Sequence, residues 1–324
     1  MKFTIGFEKE DTKKLHEYWD KILETHQWSE GIFTKNFEEK WSDYNNAYSV
    51  AFGGWGGAAL AAMKFFNAKN KTVLCPSNTF MATPLSAIKA GANVEFVDCN
   101  KEDLCLSYED LKGKIEKYNP TIVWVVHIGG HIAFQIEEIA RLCKEKGIIL
   151  LEDCAHAHGA SWKSQKPGAW GDAGVYSFYA TKTISTGEGG MLVTKNESLV
   201  DFAKKYRNWG KFDYEVQGLN FRMNEFTAAI GCVQTDRMKD IVTWKNEYAQ
   251  KHLDPKFANR VLFPKGMISG YYKYIVFDPI EKSTGKVYDQ PCHRIMKKDY
   301  DLENSDWVAS NNWCVPLYYK GDEG

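Results

Sequence analysis

The chain has 324 residues, of which 44% are apolar and 14% aromatic, with 41 Lys and Arg against 42 Asp and Glu. That is enough apolar material for a sizeable core and excludes a mainly disordered chain. A formal net charge of −1 gives none of the basic field on which nucleic-acid and membrane-surface proteins depend, and the length suits one large domain with a smaller one.

Helical spacing of Leu15, Tyr18, Trp19 and Leu23 predicts a helix over 11–26, and a second is expected from Phe33 to Tyr44. From there strands and helices alternate. YSVAF (48–52), TVLC (72–75), NVEFVD (93–98), TIVWVV (121–126) and GIILLED (147–153) read as strands. Helices are expected between them at Ala58–Asn67, Ala82–Ala90, Ser107–Lys117 and Ile136–Lys146, the third opened by a Ser cap and an acidic first turn. Short β-rich runs alternating with helices predict parallel βαβ units, and the unbroken apolar runs suit strands buried on both faces. AGVYSF (173–178) and GGMLVT (189–194) add two strands joined by a polar, glycine-rich segment, and a long helix is expected from Asn224 to Gln250. The fold class is therefore α/β, a mostly parallel central sheet with helices on both faces. Residues 1–250 form the expected large domain, with its N-terminal helical segment, and 251–324 a small C-terminal domain.

The eight cysteines are scattered, with no CxxC pair, which reads as reduced, buried thiols and neither a disulfide framework nor a zinc site. The opening MKFTIGFEKE has no apolar h-region, and no apolar run reaches the about 18 residues a membrane span needs. The expected setting is the cytoplasm, with no membrane or nucleic-acid partner.

Three segments carry chemistry. In SFYATKTISTGEGG (177–190), Lys182 follows a strand among small and hydroxylic residues. A lysine with a depressed pKa can attack an aldehyde and hold a cofactor as a Schiff base. The plain alternative is a surface lysine in a polar loop, and the flanking strand and glycines favour the first. In LLEDCAHAHGA (150–160), Asp153 ends a buried strand, where open α/β sheets place ligands. A carboxylate there suits a protonated ring nitrogen; the alternative is a helix cap. His156 and His158 are two apart, do not share a helix face and have no third ligand at motif spacing, so no metal is expected. In AFGGWGGAA (51–59), backbone N–H groups at a helix start can cradle a phosphate. Gly54, Gly56 and Ala59 also satisfy G-x-G-x-x-A, yet the acidic residue that a dinucleotide site wants at the next strand end is missing from LCPSN (74–78). A tight turn without ligand is an equal reading of that loop alone.

SFYATKTISTGEGGMLVT resembles the cofactor-lysine segment of the DegT/DnrJ/EryC1/StrS family of pyridoxal-phosphate sugar aminotransferases. WSEGIFTKNFEEKWSDY (28–44), PSNTFMATPLSAIKAGANVEFVD (76–98), VVHIGGH (125–131), LLEDCAHAHGA (150–160) and GLNFRMNEFTAAIGCVQ (218–234) resemble further family segments in the family's order. The likeness covers roughly residues 28–250. It implies a fold-type-I pyridoxal-phosphate-dependent transferase, aspartate aminotransferase-like, with a small α+β C-terminal domain. It further implies a cytoplasmic homodimer with shared active sites, acting on a nucleotide-sugar substrate and an amino-acid donor, glutamate being the expected one.

The resemblance also implies roles. Lys182 matches the lysine that holds pyridoxal 5′-phosphate and moves the substrate proton. Asp153 matches the carboxylate on the ring nitrogen, Phe80 the aromatic stacked on the ring, and Ser177 the hydroxyl on the phosphate. Asn220 matches an asparagine reaching the phosphate from the neighbouring subunit. Gly56 and Gly57 fall in the phosphate cup, and His156 stands where the family commonly has glutamine near the phenolic oxygen. Arg222 and His293 are candidate substrate residues.

Three departures stand out. Trp55-Gly56-Gly57 replaces the usual Ser-Gly-Thr, so backbone donors must serve where a hydroxyl is lost. His156 replaces glutamine and can still donate a hydrogen bond. The C-terminal region is short, ending at VPLYYKGDEG. The rival readings are a sugar dehydratase or cyclitol aminotransferase of the same family, a non-catalytic regulatory relative with a spoiled phosphate cup, and a nicotinamide-dependent oxidoreductase. Lys182, where the dehydratases carry histidine, favours transamination.

Overall fold

The computed structural model describes residues 6–320. Two helices, α1 (Lys9–Thr25) and α2 (Ile32–Asn45), lead into strand β1 (Tyr48–Phe52). The chain then alternates through α3 (Trp55–Phe65), β2 (Thr72–Pro76), α4 (Ala82–Lys89), β3 (Asn93–Val97), α5 (Tyr108–Tyr118), β4 (Ile122–Val126), α6 (Ile136–Lys146), β5 (Ile149–Asp153), β6 (Ala173–Ser177) and β7 (Gly190–Thr194). Helices α7 (Glu197–Tyr206) and α8 (Glu225–Tyr248) follow.

Seven strands form one sheet in the order β1-β7-β6-β5-β4-β2-β3. β2, β3, β4, β5 and β6 pair in parallel, whereas β7 is antiparallel to both β6 and β1. The apolar runs divide by the two-residue period of a strand. Val50, Phe52, Val73, Cys75, Ile122, Trp124, Leu151, Val175 and Leu192 meet α3, α4 and α7 on one face. On the other, Leu74, Val97, Val123, Val125 and Leu150 meet α5 and α6, while Ala51, Tyr176, Met191 and Val193 meet α1, α2 and α8. Both faces are covered, which is why these strands read as unbroken apolar runs.

Local chemistry sets the helix ends. Ser107 accepts from the Asp110 N–H at the start of α5, and Asn224 caps α8 through the Thr227 N–H. Two elements differ from expectation. α3 begins at Trp55, three residues early, because its first turn is Trp-Gly-Gly, which carries no helix signal. α7 was not foreseen at all; its Asn196 cap and its apolar face of Leu199, Val200, Ala203 and Tyr206 are short signals beside a strand end.

Beyond α8, which runs into a π turn at Ala249–Leu253, the chain builds the antiparallel pair β8 (Tyr274–Val276) and β9 (Trp313–Val315) and the short helices α9 (Cys292–Ile295) and α10 (Glu303–Ser310). This segment folds back on the sheet. The Cys292 N–H donates to the Ser77 carbonyl at 2.8 Å and the Ser305 N–H to Asp98 Oδ1 at 2.7 Å. A strap at 269–273 lies against the loop after β4: the Gly270 N–H donates to the Gly130 carbonyl at 2.7 Å and the Lys273 N–H to the Gly129 carbonyl at 2.8 Å. Gly130 has φ +113°, and a Cβ there would sit 2.6 Å from the Tyr272 nitrogen, so this approach needs glycine. All eight cysteines are buried and free. Among the described residues, no helix is long and apolar enough to cross a membrane.

Candidate active site

The chain steps outward from β2 to β3 and then returns to the other side of β2 with β4. This reversal places a crevice at the carboxyl ends of the strands. There lies a cavity of ≈ 540 Å³. Its wall is drawn from five strand ends: Gly54, Trp55 and Gly56 after β1, Phe80 after β2, Val126 closing β4, Asp153 closing β5 and Ser177 closing β6. Lys182 enters from the β6–β7 loop, and Tyr288 from the C-terminal segment.

Burial presses the Lys182 amine down to about 8, with the nearby Lys273 charge acting the same way and Asp153 opposing. The amine sits 4.7 Å from the Tyr272 ring centre. A lysine neutral near physiological pH is a nucleophile and a base. Asp153 is 5% exposed. Its Oδ1 accepts from Trp55 Nε1 at 3.1 Å and from the Ala155 N–H at 3.0 Å, and its Oδ2 from Thr83 Oγ1 at 2.8 Å. Burial raises its pKa, against the Ala155 and Thr83 bonds and the Lys182 charge, which favour the anion.

The Gly129 N–H donates to His156 Nδ1 at 3.4 Å, so the ring proton is left on Nε2, 3.4 Å from the Tyr288 hydroxyl. Burial and the charges of Lys182 and Lys273 hold this imidazole neutral, well below its ordinary value. The Tyr272 ring packs on it at 4.2 Å.

The sequence-predicted residues divide. Lys182, Asp153, His156, Ser177, Phe80 and Gly56 line the one cavity. Gly57 does not: its α-carbon faces Phe221, and a Cβ there would lie 2.8 Å from Cγ of that ring. Asn220 is exposed on the loop before α8, outside this cavity. Arg222 bonds instead to Asn208 Oδ1, which itself sits on Glu30 through its amide. His293 is fully buried, with Nδ1 2.7 Å from Ser77 Oγ, and also lies outside the cavity lining. The sequence reading missed Thr83, Tyr272 and Tyr288, and it treated Trp55 only as the loss of a hydroxyl from the phosphate cup.

Among the described residues, His127, Glu152 and Cys154 bring donor atoms within 4.8 Å of one another. They are spent on each other and on the backbone. His127 Nε2 lies 2.8 Å from Glu152, its Nδ1 accepts from the Ala133 N–H, and Glu152 also accepts from the Gly168, Trp170 and Gly171 amides. His158 stands apart, in a box formed by Trp41, Tyr176 and Phe178.

The chain belongs to the DegT/DnrJ/EryC1/StrS aminotransferase family, whose sequence model matches residues 9–263. It is 32% identical over 259 residues to a GDP-perosamine synthase of Escherichia coli O157:H7, covering 77% of this chain and 70% of that protein. It is 33% identical over 214 residues to a UDP-4-amino-4,6-dideoxy-N-acetyl-beta-L-altrosamine transaminase of Campylobacter jejuni subsp. jejuni serotype O:2, covering 63% of this chain and 56% of that one. A solved DegT DnrJ EryC1 StrS aminotransferase from Brucella abortus superposes with a TM-score of 0.91 at 21% identity, over 100% of this chain and 95% of that one. The protein is thus an aminotransferase with the fold of the type-I pyridoxal-phosphate transferases, and pyridoxal 5′-phosphate is its cofactor.

The cavity fits that group. The first turn of α3 has no side-chain cap, so its leading N–H groups are available to an anion. A Cβ on Gly54 or Gly56 would meet nothing within 4 Å, which leaves room at this pole, where Ser177 also lies. Oδ2 of Asp153 retains a lone pair beside Thr83, and Phe80 is 65% exposed, with a ring face free for stacking.

Proposed function

We propose that the protein moves an amino group from an amino acid, glutamate being the expected donor, to the keto carbon of a nucleotide-linked deoxysugar. The observation that carries this is the buried Lys182 amine and the buried Asp153 carboxylate sharing one cavity at the sheet's carboxyl edge. The names of the E. coli and Campylobacter relatives support the substrate class.

Pyridoxal phosphate, when bound, supplies an electron-accepting ring and a carbon that carries the amino group between donor and acceptor. The chain's own residues do the rest. Lys182 Nζ is the point of attachment and the group that takes and returns the proton of the reacting substrate carbon. Asp153 Oδ2 holds the ring proton, and His156 Nε2–H serves the phenolic oxygen. Phe80 and Ala155 bound the ring, and the α3 N-terminus with Ser177 anchors the phosphate. The same reading carries a cytoplasmic homodimer in which Asn220 reaches the neighbouring phosphate, supported by the exposed Trp209, Phe212, Tyr214 and Leu219 around that loop.

The test is the absorbance spectrum with added pyridoxal phosphate, before and after borohydride. A band that borohydride fixes on the wild type and not on Lys182→Ala is expected, bleached by glutamate, with an aminated nucleotide sugar formed when the keto-sugar follows. No band in the wild type at high cofactor overturns the reading.

A further inference from the structure

Asp153 is buried, and its carboxylate has three donors within reach. A carboxylate offers about four lone-pair sites. The Ala155 amide and the Trp55 indole occupy Oδ1, and the Thr83 hydroxyl takes one site on Oδ2. One site remains, on Oδ2. The three donors are not equivalent. A hydroxyl can turn and accept, whereas an indole N–H only donates. A donor-only partner favours the ionised carboxylate and offers nothing to a carboxylic acid proton. The indole is itself fixed: Trp55 is 8% exposed and its ring lies 5.8 Å from that of Trp124.

We propose that Trp55 is a positioning residue acting through Asp153: its indole N–H commits Oδ1 and holds the carboxylate as an anion, leaving Oδ2 as the acceptor for the cofactor's ring nitrogen. This rests on the reading in which Asp153 takes that nitrogen. Trp55 at the head of α3 therefore serves the opposite pole of the cofactor from the backbone donors of the same turn. The other groups that face the carboxylate act alongside it. Lys182 from the β6–β7 loop favours the anion by charge, and His127 after β4 faces it with a ring whose Nδ1 accepts from the Ala133 N–H. Cys75 on β2 and Tyr288 are kept neutral by burial.

The experiment is a double-mutant cycle on the full-length protein. Wild type, Trp55→Phe, Asp153→Asn and the double variant are freed of cofactor, and pyridoxal phosphate binding is followed by absorbance from pH 5 to 8. Ionisations of the free cofactor are common to all four and cancel. With Asp153 in place, loss of a donor to the anion should move the acid limb of binding up by about one pH unit, which is ~1.4 kcal/mol, the scale of one hydrogen bond to a charged acceptor. In the Asp153→Asn background the limb should not respond to Trp55→Phe, because a residue acting only through the carboxylate has nothing left to act on. A limb that stays put in Trp55→Phe overturns the inference. So does an equal shift in both backgrounds, which would make Trp55 a packing residue, or tighter binding in Trp55→Phe, which would make the indole a competitor. If Asp153→Asn alone leaves the limb as in wild type, the assignment of Asp153 itself fails, and the inference with it. Should Trp55→Phe not fold, judged by far-UV circular dichroism, the cycle is run with benzothienylalanine at position 55, which keeps the bicycle and replaces the N–H by sulfur.

Discussion

The Lys182 amine lies 4.7 Å from the centre of the Tyr272 ring, and the Tyr272 hydroxyl is 3.1 Å from that of Thr181, one residue before the lysine. The strap at 269–273 is thus the cover of the lysine as well as a neighbour of His156.

This cover sets a pH dependence. Lys182 is pressed down to about 8 chiefly by burial. In the proposed role its neutral form captures the cofactor aldehyde, so capture should rise as pH rises through about 8. Tyr272→Ala admits water, which moves the amine back toward its ordinary value of 10.5. A shift of about one unit makes capture about tenfold slower at pH 7.5. Tyr272→Phe, which keeps the ring, should leave the profile in place. Borohydride-trapped cofactor against pH measures both, and an unmoved profile in Tyr272→Ala removes the strap from this role.

At position 156 the bonding needs one acceptor and one donor. Glutamine supplies both, accepting from the Gly129 N–H through Oε1 and donating through Nε2. His156→Gln should therefore keep the cofactor affinity within about threefold. His156→Leu leaves a buried amide unpaired and should lower stability by about 1–3 kcal/mol. A spectrophotometric titration and a urea midpoint separate the two.

Restoring the threonine usual at the third cup position should not improve phosphate binding. A Cβ at Gly57 would stand 2.8 Å from Phe221 Cγ, and overpacking of this kind costs about 1–3 kcal/mol. Gly57→Thr should lower the thermal midpoint and weaken cofactor binding, and Phe221→Ala in the same chain should recover part of the loss. Tighter binding in Gly57→Thr alone would contradict the packing.

The buried histidines predict acid sensitivity. Burial holds His131 down to about 4 and His158 down to about 3, from an ordinary 6.5. Both are depressed bases, so between pH 6.5 and those values the unfolded chain binds protons that the folded one does not. Stability is then present above about 6.5 and falls with falling pH, by up to ~1.4 kcal/mol per unit for each. Asp103, raised to about 6 by burial, works in the other direction over a narrower window. The urea midpoint should be lower at pH 5 than at pH 7, and His158→Phe, which suits the box of Trp41, Tyr176 and Phe178, should flatten that slope.

Much of the sheet could be read from the chain because strands buried on both faces must be apolar throughout, as in TIVWVV. Lys182 and Asp153 drew attention because the first follows a strand and the second closes one, and carboxyl ends of parallel strands converge; Ser177, which closes β6, was marked by the family resemblance. What stayed hidden depends on distance in sequence. The Trp55–Asp153 bond joins residues 98 apart, so the sequence marks the tryptophan only as a departure from the usual serine. Tyr272 and Tyr288 come from a region without strong periodicity, and Tyr272 reaches the site on the strap held against Gly129 and Gly130. His293 drew attention as a titratable group, yet its ring is held by Ser77 inside the packing, a partner that only the folded chain supplies.

The eight buried cysteines have a practical consequence. In the native protein a water-soluble thiol reagent meets no sulfur, so its slow uptake counts openings of the structure. The sulfurs are well distributed for this: Cys75 on β2, Cys143 on α6, Cys232 on α8, Cys292 on α9 and Cys314 on β9. The order in which they acquire label would chart, without any introduced probe, which layer lets go first and whether the cofactor slows the β2 and α9 positions more than the α6 one.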